Sequence, residues 1–281
     1  MYSNRCFNYQ TIIAVVSLLV LLCSNNSSNA QTTITIPSSP FHTPAYANYY
    51  YEEILRLALT KTAPTYGKTE IQFYPLVMGR ERQRALLKSN GGIDVIWSTS
   101  NHVRETQLLA IKVNLLRDLS NYKILLIRKE DKEQFATVKS LSDLRKFKAG
   151  TGSHWQDTQV LQKNDMPLMT SWDYEPMFKM LAAKRFDYIV RGSQEIWAEV
   201  EQHQNLHLAA EDTLLINYDL PVYFFVNPNN LQLAERIKTG LELAEKDGSF
   251  KKLFFSMPAF KKGYDETYNK HRRLLKMASP E

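Results

Sequence analysis

The sequence predicts an α/β protein built as two lobes, each a mostly parallel sheet flanked by helices, joined by two hinge strands. Two segments share one plan, a helix ending in small or polar residues, then Asp, then an apolar strand. Residues 82–97 place Asp94 before Val95-Ile96-Trp97, and residues 177–190 place Asp187 before Tyr188-Ile189-Val190. Both strands then run into polar residues, Ser98-Thr99-Ser100-Asn101 and Arg191-Gly192-Ser193-Gln194-Glu195. In open α/β sheets ligands bind just past the carboxyl ends of the strands. Two such units therefore predict strand ends facing each other across a cleft, a geometry that points to binding more than to catalysis. No Gly/Ser-rich linker separates the lobes, so the connection is expected in the strands themselves, near residues 121–123 and 217–220. Residues 31–121 and 218–281 are then lobe 1, and residues 122–217 are lobe 2, inserted into it.

Each element has its own signal. Residues 31–36 alternate Thr and Ile, the period of a strand, and Pro37 and Pro40 break it. Residues 49–61 carry Ile54, Leu55, Leu57, Ala58 and Leu59 without a breaker, a helix closed by Pro64 and Gly67. A strand at 70–74, a helix at 79–89 and a strand at 93–97 complete a βαβαβ start, which implies a parallel sheet with right-handed crossovers. Residues 122–128 are a strong strand. Ser140 caps a short helix, with Asp143 three residues on. Gly150-Thr151-Gly152-Ser153 reads as a turn opening a helix over 154–163, and residues 195–203 form another. A strand at 218–226, an amphipathic helix at 231–246 stopped by Asp247-Gly248, and a short helix at 250–255 close the chain.

The first thirty residues read as a cleaved secretory signal: Arg5, an apolar run over 11–23, then a polar region ending Ser28-Asn29-Ala30. A run of this length is short for a membrane span, which needs about 20 residues. Cleavage after Ala30 and a periplasmic location are expected. Both cysteines, Cys6 and Cys23, fall inside this segment, so disulfides, thiolate metal sites and a cysteine nucleophile are excluded from the mature chain. The formal charge of +6 is scattered apart from a basic tail, without the aromatic-interleaved stripe that nucleic-acid binding needs. The six histidines lack metal-ligand spacing. No nucleophile motif stands in a supporting context, and no catalytic residue, metal or cofactor is assigned.

The order of motifs resembles the family 3 extracellular solute-binding proteins of ABC transporters, with the type II periplasmic binding fold. The resemblance rests on Ser140-Leu141-Ser142-Asp143-Leu144 followed by Gly150-Thr151-Gly152-Ser153, on Leu181-Ala182-Ala183-Lys184-Arg185-Phe186-Asp187, and on Glu242-Leu243-Ala244-Glu245-Lys246-Asp247-Gly248-Ser249-Phe250. It implies a monomer that closes on a small ligand and hands it to an ABC permease, or reports it to a membrane sensor protein. It also implies a site. Arg104, with Thr99 and Ser100 before it, stands where the family clamps a carboxylate. Gly152 and Ser153 stand at the second-lobe helix start that gives N–H groups to the ligand, with His154 and Trp155 beside them. Tyr46 heads a run of aromatics, with Tyr49, Tyr50 and Tyr51, from which one ring is expected to stack on the ligand.

One departure matters. Where the family pairs an Asp with an ammonium group, this chain has Arg191 and Gly192, and a guanidinium accepts no hydrogen bond. An anionic or dicarboxylate ligand fits that exchange better than an α-amino acid. Two roles stay open for several residues. Arg104 clamps a carboxylate or is a helix-surface arginine paired with Glu105 or a neighbour; Arg191 lines the cleft or pairs with Glu195 at i+4. The glycines serve a ligand or only a turn, and Trp155 stacks on a ligand or packs a lobe. Two further functions compete: a module acting through a protein partner, and a lyase or dehydratase on the same fold.

Overall fold

The computed structural model describes residues 32–38 and 47–279. The expected leader, its cleavage point at Ala30 and the candidate Tyr46 lie outside the described residues. The strands, in chain order, are β1 (Thr32–Ile36), β2 (Thr69–Phe73), β3 (Val95–Thr99), β4 (Leu109–Ile111), β5 (Tyr122–Arg128) and β6 (Ala149–Gly152). They continue with β7 (Leu168–Ser171), β8 (Tyr188–Gly192), β9 (Leu208–Ala210), β10 (Leu214–Asn217), β11 (Val222–Val226) and β12 (Arg273–Lys276).

β1 and β2 pair in parallel, and β3, β11 and β4 form an antiparallel sheet in that order. The Asp of the first repeated unit joins the two. Asp94 N–H donates to Thr35 O at 2.9 Å, and Thr35 N–H donates to Asp94 Oδ2 at 2.7 Å. The Asp of the second unit makes the same closed pair: Asp187 N–H donates to Lys148 O at 2.8 Å, and Lys148 N–H donates to Asp187 Oδ2 at 2.8 Å. Lys148 immediately precedes β6 and Asp187 immediately precedes β8, which run parallel. The shared plan is thus structural: each Asp ties the start of its strand to the strand beside it.

The larger sheet has the order β12-β10-β5-β8-β6-β7, with β9 also on β5. β5 is buried on both faces. Leu125 and Ile127 enter one apolar cluster, while Ile124 and Leu126 enter another, which explains its continuous apolar run. In the smaller sheet Val95, Trp97 and Phe224 face the main cluster with the helices Ala47–Lys61 and Leu231–Lys246. Ile96 and Phe225 face the opposite side.

Three expectations change. The sheets are mixed rather than mostly parallel: β11 runs antiparallel to β3 and β4, and β5 runs antiparallel to β8, β9 and β10. These two strands carry the chain from one sheet into the other and enter against the direction of their neighbours. The strand expected at 218–226 starts only at Val222, because Pro221 lacks the N–H a ladder needs; a separate strand, β10, ends at Asn217 before it. The C-terminal tail, expected with lobe 1, pairs through β12 with β10 in the larger sheet, from Leu214↔Arg273 to Asn217↔Lys276. Asn121 and the segment 217–220 lie side by side. Tyr218 N–H and Asn217 Nδ2 both donate to Asn121 O, at 3.1 and 3.2 Å, and Leu220 N–H donates to Asn121 Oδ1 at 3.0 Å. Among the described residues no helix is long and apolar enough to cross a membrane.

Candidate functional site

The carboxyl end of β3 opens into the helix His102–Gln107, whose N-cap is Asn101: its Oδ1 accepts from Arg104 N–H at 2.7 Å. The cap turns Arg104 back toward the strand end, where its Nη1 lies 3.5 Å from Thr99 Oγ1. Arg104 is only 9% exposed and its Nε has no hydrogen-bond partner. Glu105 is engaged elsewhere, accepting from Ser100 Oγ at 2.6 Å and pairing with Lys112 at 2.7 Å. The helix-surface pair with Glu105 is therefore not formed, and Ser100 serves that carboxylate.

Two more arginines act on Arg104. Desolvation, followed by the charges of Arg84 and Arg80, lowers its pKa to about 10, with Glu81 opposing, so it stays charged at neutral pH. Arg80 and Arg84 lie one turn apart on the helix Arg80–Lys88, and Arg80 Nη1 donates to Trp97 O at 3.0 Å. Arg80 is exposed, and desolvation lowers its pKa. Tyr51 stacks on Trp97, with ring centroids 5.5 Å apart and planes 22° apart. Arg80 and Arg84 were not among the expected site residues; their i, i+4 spacing at a helix start beside the strand was the available signal.

The facing wall comes from the larger sheet. Arg191 at the end of β8 gives Nε to Glu199 Oε1 and Oε2, at 2.8 and 2.7 Å, and Nη2 also bonds Oε1. Glu195 pairs with Nη2 at 3.0 Å. The guanidinium lies 4.6 Å from the ring centroid of Trp155 and 5.7 Å from that of Tyr174. Tyr174 Oη donates to Glu199 Oε1 at 2.6 Å. Burial would lower the Arg191 pKa, but Glu199 and Glu195 more than reverse it. Of its two expected roles, the ion pair with Glu195 is present, and Glu199, not anticipated, is the closer partner.

The expected glycine turn is different. Ala149–Gly152 is the buried strand β6, and the helix begins at Gln156 rather than His154. Both glycines are there for close packing: a Cβ on Gly150 would lie 2.2 Å from the Phe186 ring, and one on Gly152 would lie 2.5 Å from Trp155 Nε1. Ser153 N–H and Oγ both donate to Ser171 O, at 2.9 and 3.0 Å. These groups are already committed within the protein. His154 is exposed and packs edge-on against Trp172 at 3.9 Å, and Trp155 packs on Arg191.

The two walls meet. Asn101 Nδ2 donates to Gln156 Oε1 at 2.7 Å, and the charge of Glu195 acts on Tyr51 and Arg80 opposite. The ends of β3 and β8 thus lie near each other, with Thr99, Arg104, Arg80 and Tyr51 around the first and Trp155, Arg191 and Glu195 around the second.

No protein-family model and no curated protein sequence matches the chain. Solved structures do. An ancestral arginine-binding protein bound to arginine superposes with a TM-score of 0.59 at 20% identity, over 81% of this chain and 98% of that one. A histidine kinase sensor domain with similarity to periplasmic binding proteins gives 0.59 at 16% identity, over 81% and 96%. The substrate-binding protein of an amino acid ABC transporter gives 0.56 at 13% identity, over 80% and 98%. The chain has the two-lobe fold of the periplasmic binding proteins, as the motif order implied.

Proposed function

We propose that this chain is an exported solute-binding protein whose two lobes close around a small ligand carrying a carboxylate or another anionic group. The observation that carries this reading is Arg104: a buried guanidinium with no carboxylate partner among the described residues, beside Thr99 and in the field of Arg80 and Arg84. A buried, uncompensated charge is costly. An anion with two oxygens would compensate it through the bidentate geometry a guanidinium offers. Hinge closure over residues 121–123 and 217–220 would seal the ligand against Trp155. The role is binding rather than catalysis, and the closed form would be read by an ABC permease or a membrane sensor protein. The likeness to both a transporter component and a sensor domain supports keeping those two partners together.

A thermal-shift screen of the mature chain against amino acids, dicarboxylates and sugar acids tests this. A ligand at a hundred times its Kd stabilises by about 2.7 kcal/mol, roughly 2–4 °C for a chain of this size. Hits concentrated among carboxylate-bearing compounds are expected. Hits confined to uncharged or cationic compounds would refute the anionic ligand, and silence across the library would favour a module that acts through a protein partner.

A further inference from the structure

We propose that Arg191 is a built-in occupant of a guanidinium-binding site, and that the vacated site would accept a free planar cation. The surroundings of Arg191 have the parts by which a protein binds a guanidinium ligand. The Glu199 carboxylate receives a fork of N–H groups, a geometry that recognises planar cations. The Trp155 and Tyr174 rings lie 4.6 and 5.7 Å from the guanidinium carbon, within cation–π range. Tyr174 Oη fixes Glu199 from the other side at 2.6 Å, and Glu195 adds a second carboxylate at 3.0 Å. Glu199 is 5% exposed. A simple structural ion pair requires neither the aromatic faces nor the hydroxyl orienting the acid.

The consequence for the cleft rests on its being a ligand site. With its own cation seated there, the second lobe excludes a guanidinium or ammonium group of a ligand from this point, which leaves recognition to the arginines of the first lobe. Arg191 would then be a specificity-determining residue, and removing it would change which ligands bind.

Chemical rescue tests this without the cleft's own ligand. Arg191→Ala is melted with and without about 10 mM ethylguanidinium, beside wild type, Arg191→Ala/Glu199→Gln and an ammonium chloride control. Ethylguanidinium is expected to raise the melting temperature of Arg191→Ala by about 2–4 °C, and to leave wild type, the double variant and the ammonium control unmoved. Equal shifts in all proteins, or no shift in Arg191→Ala, would overturn the proposal. If Arg191→Ala does not fold on its own, refolding it with and without ethylguanidinium decides: recovery of folded protein only with ethylguanidinium supports the site, and no difference overturns it. Rescue combined with a silent metabolite screen would leave this site standing and remove the solute-binding reading; the reverse result would separate them in the other direction.

Discussion

Arg191 and Glu199 meet with little water around them, at 11% and 6% side-chain exposure, whereas Glu195 is 39% exposed. Breaking a buried pair leaves an uncompensated charge, so Glu199→Ala should cost about 3–5 kcal/mol of unfolding free energy. Glu195→Ala should cost less than about 1 kcal/mol, because solvent screens that pair. Urea denaturation of both variants checks the contrast, and equal losses would show that Glu199 is not the anchoring partner. The sequence exposed only half of this cluster. Glu195 follows Arg191 at i+4 and was foreseen as a partner, but Glu199 meets an arginine at a strand end from a following helix, a contact that no local spacing encodes. Asn101 is the second residue with two roles. Asn101→Ala removes the helix cap and should cost about 1 kcal/mol. Gln156→Ala removes only the bond across the cleft and should change stability by less than about 0.5 kcal/mol. Both should shift the unliganded protein toward an open form, read as a larger radius of gyration in solution scattering; an unchanged radius in both would deny the latch.

At the scale of elements, the repeated helix–Asp–strand unit was visible in the sequence, and its physical content is the closed pair of hydrogen bonds each Asp makes. Asp94→Ala removes a charge-assisted bond to a backbone N–H and should cost about 1.5–3 kcal/mol. Asp187→Ala should cost no more than that, since Arg128 keeps Leu181 O and Phe186 O at 2.9 and 2.7 Å. The turn before Asp187 holds Lys184 in the left-handed region at φ 59°. A side chain there is strained by about 1–2 kcal/mol, while glycine gives back roughly 0.5–1 kcal/mol through the flexibility of the unfolded chain. Lys184→Gly should therefore stabilise by about 0.5–1 kcal/mol, and a destabilised variant would contradict the assignment of strain. β6 was misread because Gly150 and Gly152 resemble a turn, and glycine is poor strand material. What holds them in a strand is the Phe186 and Trp155 rings lying where side chains would be, which is tertiary information. β10 and β12 escaped for a related reason: four-residue strands carry too little period to stand out.

For the whole molecule, the two-lobe plan followed from the alternation of strands and helices without a linker, and Tyr218 and Leu220 bond to Asn121 between the two sheets. The tail's return to the larger sheet was hidden, because strand pairing between residues 214–217 and 273–276 leaves no mark in either segment alone. Thr99, Arg104 and Arg191 were singled out in the sequence at the strand ends where the structure places them, while the charges around them were not. Those charges separate the two strand ends: among the described residues Arg80 and Arg104 lack a carboxylate partner at one, while Arg191 is compensated by Glu199 and Glu195 at the other. The most direct test is titration calorimetry of the chain from Gln31 onward with the strongest carboxylate-bearing hit of the thermal-shift screen, comparing wild type, Arg104→Ala and the surface control Arg82→Ala. Losing a buried, hydrogen-bonded charge partner should cost about 2–5 kcal/mol of binding free energy, so Arg104→Ala should weaken affinity at least tenfold while Arg82→Ala stays within about twofold of wild type. Unchanged affinity in Arg104→Ala would contradict an anion held in the cleft by that residue.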